Sequence, residues 1–232
     1  MKLNKRYIYP PRPTKNAIPF SEIGVYSQYG WVAQLKVNDL RTEFSIAGDD
    51  VEFFNRHNGK HQPNRIPQYM ATEVLEICRK LGFGVDGWNY LDGGLMCCKN
   101  RQVSGIAAIW DILVLQGEWL LDTTYQYRYD LIAQQNSEPF IITVGGKDFD
   151  IGLKLSEHIF IPRLYEDYNI PWQLAKDVNA AAGWSGKDDG ENILEGVVLK
   201  DTTGILKPDN GKEANNTSWG ARSRFTTGRS RF

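Results

Sequence analysis

Apolar and polar residues roughly alternate over residues 31–46, and this pattern predicts two β-strands. Asn38 and Asp39 interrupt the alternation with two turn-forming side chains, so we expect the chain to reverse there. Lys36 then ends the first strand and Arg41 begins the second. Both side chains are therefore able to face one cleft.

Further along the chain, the spacing of apolar residues predicts three helices and six more strands. The predicted helices span residues 69–81, 122–134 and 171–182, and the predicted strands span 88–98, 103–115, 140–144, 157–161, 195–199 and 217–225. Gly82 and Gly183 end the first and last helix, and Asp122 or Thr123 caps the second. Because the helices interrupt the strands without a regular βαβ alternation, the sequence indicates an α+β fold with mostly antiparallel sheets flanked by helices.

The composition is that of a globular protein, with 41% hydrophobic and 24% charged residues among 232. A chain of this length accommodates one large domain, which we expect to span residues 1–232 as a monomer. No apolar run approaches the ~20 residues of a membrane span, and the basic start lacks the apolar segment of a secretory signal. We therefore expect a cytoplasmic protein that does not bind membranes.

The three cysteines, Cys78, Cys97 and Cys98, include an adjacent pair and give an odd total. This arrangement suits neither a disulfide framework nor a zinc site. We interpret these cysteines as buried apolar side chains.

The net charge of −1 gives the protein as a whole no electrostatic attraction to nucleic acid. The cations are unevenly placed, however, because residues 1–15 and 214–232 contain several basic residues and no acidic one. The N-terminal run fits a solvated tail equally well. In the C-terminal run the arginines alternate with aromatic side chains, which suits backbone phosphates and stacked bases. These arginines are Arg222, Arg224, Arg229 and Arg231.

The segment from Gln34 to Thr42 places Lys36 between apolar neighbours and follows it with polar groups and Arg41. A lysine amine becomes a nucleophile only when it is partly deprotonated, and partial desolvation beside another cation favours that form. A second motif, Glu195-Gly196-Val197-Val198-Leu199-Lys200, follows near the end of the chain. Together the two resemble Lys-x-Asp-Gly-x-Arg and Glu-Gly-x-Val-x-Lys, the signatures of the covalent nucleotidyltransferases. This superfamily contains ATP-dependent DNA ligases, RNA ligases and capping enzymes.

Three further segments resemble motifs of the same superfamily, in the same order. Leu91-Asp92-Gly93-Gly94-Leu95-Met96 resembles Leu-Asp-Gly-Glu-Leu-Val, and residues 109–118 resemble Phe-Asp-Ile-Leu-x-Leu-x-Gly-Glu. Residues 216–224, which contain a tryptophan and two alternating arginines, resemble the closing motif. The chain is thus identified as similar to the minimal ATP-dependent DNA ligases of phages and bacteria. The resemblance implies a ligase-type adenylation domain, ATP-grasp-like, with no OB domain after it.

The resemblance also implies roles for individual side chains at the nucleotide. Lys36 would attack the α-phosphorus of ATP and hold AMP as a phosphoramidate. Gln34, on the same strand face, stands where the family reads the adenine amino group, and its amide both donates and accepts hydrogen bonds. Trp110 stands where an aromatic ring stacks on the purine. Arg41 and Arg56 stand where arginines contact ribose or phosphate.

Around the phosphates, Glu195 is the first candidate ligand for Mg²⁺ or Mn²⁺, and Asp92 is the second. Strict alternation puts Glu195 and Lys200 on opposite faces of one strand, so one of them must lie past a bend or at the strand end. Arg222 and Arg224 share a face, and arginine does not readily donate a proton, which disfavours a general-acid role for them. The implied catalytic set is Lys36, Arg41, Glu195 and Lys200, and the implied nucleotide-binding set is Gln34, Leu35, Lys36, Arg41, Arg56, Trp110, Glu195, Lys200, Arg222 and Arg224.

Three residues depart from the family pattern. Asn38 stands in place of aspartate, Asp39 in place of glycine, and Gly94 in place of a glutamate near the nucleotide and metal. Asp92 or Glu118 are the candidates to compensate for Gly94. Otherwise the chain is a non-catalytic relative.

The expected function is ATP-dependent sealing of 5′-phosphate and 3′-hydroxyl ends in nicked DNA through a lysyl-AMP intermediate, in a phage-encoded or bacterial setting. An RNA ligase, or a ligase that joins mixed DNA and RNA ends, is a close alternative. A capping guanylyltransferase is disfavoured, because such enzymes carry a further domain after the last motif. A catalytically inactive nucleic-acid-binding protein is the alternative from a different class.

Overall fold

The computed structural model describes residues 7–8, 10–13, 17–84, 87–96, 102–134, 136–186, 191–207 and 218–225. Within these residues the chain forms eleven β-strands, three α-helices and two 3₁₀ helices. The strands are β1 (Trp31–Val37), β2 (Leu40–Ala47), β3 (Asp50–Phe54), β4 (Trp88–Leu95), β5 (Ala107–Leu115), β6 (Glu118–Trp119), β7 (Pro139–Val144), β8 (Lys147–Lys154), β9 (Ile159–Ile161), β10 (Leu194–Asp201) and β11 (Gly220–Arg224). The helices are α1 (Met70–Lys80), α2 (Tyr125–Ala133) and α3 (Asn169–Ala181), with 3₁₀ helices at Phe20–Tyr29 and Pro63–Arg65.

The strands form two sheets. A three-stranded antiparallel sheet has the order β1-β10-β11. An eight-stranded sheet has the order β3-β2-β4-β5-β9-β8-β7, with β6 paired to β5. Its pairings are antiparallel apart from β5 with β9. The α+β class with mostly antiparallel sheets, predicted from the sequence, is therefore confirmed.

The hairpin of β1 and β2 joins the two sheets, because β1 belongs to the smaller sheet and β2 to the larger. Leu35 and Val37 of β1 pack in a core cluster that also contains Ala175 and Val178 of α3. Since side chains alternate along a strand, Gln34 and Lys36 point away from this core. The burial of one face of β1 against α3 thus directs the candidate nucleophile to the opposite side.

Helices α1 and α2 cover the larger sheet. Met70, Val74 and Ile77 of α1 and Tyr125 and Ile132 of α2 belong to one core cluster with residues of β2, β4 and β5. The apolar spacing that predicted helix 69–81 corresponds to this buried face of α1. Cys78 is also buried in this cluster, as expected, whereas Cys97 and Cys98 lie outside the described residues.

The start of α2 differs from the sequence prediction. Its cap is Thr124, whose hydroxyl accepts a hydrogen bond from the backbone N–H of Tyr127 at 3.2 Å. The prediction of Asp122 or Thr123 as the cap is wrong, because Asp122 has a φ of 59° and the hydroxyl of Thr123 donates to the carbonyl of Leu120 at 2.6 Å. In the part of the chain that the structure describes, no helix is long and apolar enough to cross a membrane.

Candidate active site

One face of the three-stranded sheet lines a cavity of about 610 Å³. Lys36 of β1 is paired with Gly196 of β10, which is paired in turn with Arg224 of β11. Two residues earlier on β1, Gln34 is paired with Val198 of β10, which is paired in turn with Arg222 of β11. Cross-strand neighbours project from the same face of a sheet, so these four side chains form two adjacent rows in the cavity wall.

A β-bulge brings Glu195 to the same face. Lys36 pairs with Gly196 but Val37 pairs with Leu194, so the register shifts and Glu195 is the extra residue. Gly196 is required at this point, because its φ is 138° and a Cβ there would lie 2.3 Å from the carbonyl oxygen of Ser223. The bulge removes the conflict between Glu195 and Lys200, and both side chains line the cavity.

The carboxylate of Glu195 connects the first row. Its Oε2 lies 2.8 Å from Nζ of Lys36 and 3.0 Å from a guanidinium nitrogen of Arg224. The amine of Lys36 is thereby held in one place, with its side chain 14% exposed to the cavity. The amine is partly buried and has a second cation, Arg224, on the same carboxylate, and burial beside another cation is the setting in which lysine amines act as nucleophiles.

The amide of Gln34 has a defined orientation. Its Nε2 donates to the carbonyl of Pro162 at 3.0 Å, and its Oε1 accepts from the hydroxyl of Tyr125 at 2.8 Å. Because a carbonyl oxygen can only accept, the nitrogen must face Pro162. The amide keeps one N–H and one lone pair for a ligand in the cavity that it lines. Tyr125, which fixes this orientation, was not singled out by the sequence motifs.

Lys200 is nearly buried at the other end of the wall. Its Nζ lies 4.5 Å from the ring centre of Tyr125 and 5.1 Å from that of Trp219. Burial lowers the pKa of Lys200 to about 8, against the opposing charges of Asp111 and Asp92. Lys200 is thus a cation whose charge is sensitive to pH in the physiological range.

The eight-stranded sheet supplies Arg41 and Trp110 to the same cavity. The carboxylate of Asp92 accepts two hydrogen bonds from the guanidinium of Arg41, one of them at 2.5 Å from Nε, and one from the indole nitrogen of Trp110 at 2.9 Å. The guanidinium also lies 5.1 Å from the ring centre of Trp110 and donates to the carbonyl of Pro11 at 3.1 Å. Asp92 therefore fixes the positions of the arginine and the aromatic ring relative to each other.

A buried charge cluster lies beneath Arg41 and Trp110. Glu43 is fully buried next to Asp92, and burial, followed by the charge of Asp92, raises its pKa well above the ordinary value. Burial also raises the pKa of Asp92, although the charge of Arg41 opposes it. Asp111 forms two hydrogen bonds with buried Arg128, at 2.8 and 3.1 Å. The cavity lining includes none of the four cluster residues Glu43, Asp92, Asp111 and Arg128.

The residues implied by the sequence are distributed as follows. Gln34, Lys36, Arg41, Arg56, Trp110, Glu195, Lys200, Arg222 and Arg224 all line the cavity, together with Leu35, whose side chain packs in the core behind it. Asp92 does not line it, and both of its oxygens are occupied by Arg41 and Trp110. Arg229 and Arg231 lie outside the described residues.

Two charged cavity residues were not assigned to the site from the sequence. Arg12 was expected to belong equally well to a solvated tail, yet it lines the cavity. The pKa of Arg222 is lowered by burial and by the charge of Arg224, and to a smaller extent by the charge of Arg12. Asp39 was noted only as a departure from the family pattern, and it also lines the cavity. The prolines on either side of Arg12 are the one local signal, because they fix an extended course past the site.

The cavity carries an excess of positive charge. Its acidic lining residues are Asp39 and Glu195, whereas its cationic lining residues are Arg12, Lys36, Arg41, Arg56, Lys200, Arg222 and Arg224. A cavity lined mainly by one sign of charge attracts ligands of the other sign, and one arginine can donate two parallel hydrogen bonds to two oxygens of a phosphate. The cavity is therefore suited to a polyphosphate with an attached ring that Trp110 can stack on.

Mg²⁺ is compatible with this site. It is normally held by one or two carboxylates together with phosphate oxygens of its substrate, and Glu195 presents a carboxylate to the cavity. Among the described residues, no cluster of three or more His, Cys, Asp or Glu side chains could hold a metal without a ligand's help. The single carboxylate of Glu195 therefore fits a cation that is also bound by the phosphates of a nucleotide.

Two mostly antiparallel sheets with flanking helices and a shared cavity give this chain a fold similar to that of the ligase domains of solved structures. A mycobacterial DNA ligase D complexed with ATP and MES is similar at a TM-score of 0.51 and 15% identity, over 94% of this chain and 60% of that chain. The ligase domain from M. tuberculosis LigD is similar at 0.51 and 14%, over 94% and 59%. Pmar-Lig_Pre is similar at 0.52 and 16%, over 92% and 46%.

At sequence identities this low, the structural similarity shows a shared fold alone. The chain spans between 46% and 60% of the length of the three structures. No protein-family model and no curated protein matches the chain. What the site does must therefore be argued from its own residues.

Proposed function

We propose that this protein is an ATP-dependent polynucleotide ligase that seals 5′-phosphate and 3′-hydroxyl ends in nicked DNA. One observation carries the proposal: Nζ of Lys36 is held 2.8 Å from Glu195 in a cavity that the cations of both sheets line. A fixed amine surrounded by phosphate-binding groups suits covalent attack on a nucleotide. The five sequence motifs and the fold of the ligase structures support the same class of reaction.

The proposed reaction has three steps. The uncharged amine of Lys36 attacks the α-phosphorus of ATP, a P–N bond forms, the bond to pyrophosphate breaks, and the amine proton passes to solvent. A 5′-phosphate oxygen of the nucleic acid then attacks the same phosphorus, which transfers AMP to the 5′ end and releases Lys36. The 3′-hydroxyl finally attacks the 5′-phosphorus, loses its proton and expels AMP. The difficult condensation is thus divided into steps that each exchange one bond at phosphorus.

The remaining cavity residues have matching roles. Glu195 and Arg224 orient the amine, while Arg222 and Lys200 bind phosphate oxygens. Mg²⁺, held by Glu195 and the phosphates, would neutralise part of the negative charge on the leaving pyrophosphate.

In the same cavity, Trp110 stacks on the base and Gln34 contacts its edge. Arg41 and Arg56 contact the sugar or phosphates. We assign Asp92 to positioning Arg41 and Trp110 rather than to the metal, because its oxygens are already occupied.

ATP is the proposed nucleotide, and the direct test is covalent labelling. The protein is incubated with ATP or GTP radiolabelled at the α-phosphate, with and without Mg²⁺, and then denatured and separated by electrophoresis. We expect label from ATP that depends on Mg²⁺, and little from GTP. Absence of label from both nucleotides would favour the catalytically inactive nucleic-acid-binding alternative, and label from GTP alone would favour a capping enzyme.

The nucleic acid requires a separate experiment. Nicked duplexes that differ only in the sugar of the 3′-hydroxyl strand, the 5′-phosphate strand or the template are sealed side by side, with single-stranded substrates as a further set. We expect the all-DNA nick to be sealed fastest. Faster sealing of ribose ends would instead support the RNA or mixed-end ligase alternative.

A further inference from the structure

Asp39 and Gly94 are adjacent in space. Gly94 lies on β4 opposite Arg41 of β2, and Asp39 precedes β2. A Cβ atom built on Gly94 would lie 2.3 Å from Oδ2, 2.6 Å from Cγ and 2.7 Å from Cβ of Asp39. Rotation of the Asp39 side chain cannot relieve the last of these contacts, because its Cβ is fixed by the backbone. The side chain of Asp39 therefore occupies the volume that any side chain at position 94 would need.

The backbone that presents Asp39 is firmly held. The backbone N–H of Asn38 donates to the carbonyl of Ile193 at 3.0 Å, and its side-chain amide donates to the carbonyl and to Oδ1 of Asn192, both at 2.8 Å. Asp39 does not belong to the residues with a positive φ, so this turn does not require the glycine of the family motif. An aspartate is accommodated here without backbone strain, at a constant distance from β4.

Asp39 also lies, along the chain, between two residues that the proposed nucleotide would contact. It follows Lys36 by three residues and precedes Arg41, which lies against Trp110, by two. In a nucleotide that stacks on Trp110 and presents its α-phosphorus to Lys36, the sugar lies between these points. Both Asp39 and Arg41 line the cavity. Burial lowers the pKa of Arg41, but the charges of Asp92, Glu43 and, least of the three, Asp39 raise it above its ordinary value.

We infer that Asp39 is a nucleotide-binding residue whose carboxylate accepts hydrogen bonds from the sugar hydroxyls, and that Gly94 is required because it leaves room for this carboxylate. The inference rests on the proposed function, in which ATP is the nucleotide. A carboxylate that accepts a hydrogen bond from a ligand hydroxyl typically changes affinity by tenfold or more, because the bond is charge-assisted. Asp39 and Gly94, which both depart from the motifs that the sequence resembles, then form one unit.

The test combines binding with paired substitutions. ATP, 2′-deoxy-ATP and 3′-deoxy-ATP affinities are measured by equilibrium dialysis in a Lys36→Ala background, which excludes turnover. The variants are Asp39→Asn, Asp39→Gly, Asp39→Gly with Gly94→Glu, and Asp39→Gly with Gly94→Ala. The last is the matched control, since it fills the same space at position 94 without supplying a carboxylate. Thermal unfolding is recorded for each variant and for Gly94→Ala alone.

We expect Asp39→Asn to weaken ATP binding about tenfold and to abolish the discrimination against at least one deoxynucleotide. Asp39→Gly with Gly94→Glu should return both properties to within about threefold of the parent, whereas the alanine control should not. Gly94→Ala alone should lower the unfolding temperature, and the same substitution in the Asp39→Gly protein should not, because the clash is then absent.

Electrostatics alone predicts the opposite for Asp39→Asn, since removal of a negative charge from a cationic cavity should tighten ATP binding. Unchanged or tighter ATP binding by Asp39→Asn would therefore overturn the assignment, as would equal rescue by the alanine control. An unchanged unfolding temperature in Gly94→Ala would overturn the steric coupling. If the wild-type protein neither binds nor is labelled by ATP, the proposed function fails and this inference fails with it. Labelled wild-type protein together with unaffected Asp39→Asn contradicts this inference alone.

Discussion

The two sheets contribute to the cavity in different ways. On the three-stranded sheet, the side chains of Lys36 and Glu195 are each 14% exposed and that of Arg224 is 30% exposed. On the eight-stranded sheet, Asp92 and Asp111 are 2% and 1% exposed and are fully engaged with arginines. Lys36, Glu195 and Arg224 on the first sheet thus face the cavity, whereas the buried carboxylates on the second hold other side chains in place.

This difference has an energetic consequence. A partly exposed ion pair contributes only about 0–1 kcal/mol to stability, because solvent screens it and competes for it. Removing one partner of a buried pair costs about 3–5 kcal/mol, because the other charge is left without compensation. Substitutions on the three-stranded sheet should therefore separate activity from stability, and substitutions in the buried cluster should change both.

The largest separation is expected for Lys36→Ala. Covalent labelling by ATP should be lost entirely, since no other amine among the described residues is held beside Glu195. The midpoint of urea unfolding should change by no more than the equivalent of about 1 kcal/mol. Binding of a nicked duplex should stay within a few-fold, because one of many phosphate-facing cations is removed. Labelling that persists in this variant would show that another residue is the nucleophile.

The buried cluster should behave oppositely in Asp92→Ala. Loss of this carboxylate leaves Arg41 without its main partner and Trp110 without its acceptor, so we expect about 3–5 kcal/mol of destabilisation together with reduced labelling. Asp49→Ala is the matched control, because it removes the partner of Arg79 in an exposed pair and should cost about 0–1 kcal/mol. Equal stability of the two variants in urea unfolding would contradict the distinction between the sheets.

Residues that belong to short sequence motifs were easier to identify from the sequence than contacts between strands. Lys36, Glu195 and Arg224 belong to short contiguous motifs, so their chemistry can be inferred without knowledge of the fold. The contact between Asp39 and Gly94, in contrast, depends on the register of β2 against β4, which a single sequence does not determine.

Local backbone irregularities limited the prediction in a similar way. The alternation rule placed Glu195 and Lys200 on opposite faces because it could not anticipate the bulge at Glu195. Strands β3 and β8 were not predicted; in β8 the burial does not alternate along the strand, and its pairing with β7 contains a register shift. The 3₁₀ helix Phe20–Tyr29 was also missed, since it buries only Ile23 and so gives no apolar periodicity.

Lys200 combines features of both sheets. It belongs to β10 of the three-stranded sheet, but it is nearly as buried as the charged residues of the eight-stranded sheet. With a pKa of about 8, it is charged below that pH and neutral above it, so ATP affinity should fall as the pH rises through 8. An unfolded lysine keeps its proton to higher pH, and the unfolded state therefore binds more protons above pH 8. The contribution of this group to stability should consequently rise over the range in which ATP affinity falls.

The measurement is ATP affinity between pH 7.5 and about 9.5 in a Lys36→Ala background, in which covalent attack on ATP is absent. Lys200→Arg should abolish the decline, because a guanidinium remains charged, and Lys200→Gln should give weak binding at every pH. If the Arg variant shows the same decline as the parent, another group causes it.

The smallest effect is expected for Arg12, which lines the cavity although the sequence fitted a solvated tail equally well. The positive charges of Arg12 and Arg222 repel each other, and a bound polyphosphate would relieve this repulsion. Arg12→Ala should weaken ATP binding about threefold at low salt, with a smaller difference at high salt because the interaction is screened. Arg79→Ala removes an equal charge from an exposed pair outside the cavity and should leave ATP affinity unchanged. Equal ATP affinities of the Arg12 and Arg79 variants at low salt would show that Arg12 belongs to a solvated tail and does not contribute to ATP binding.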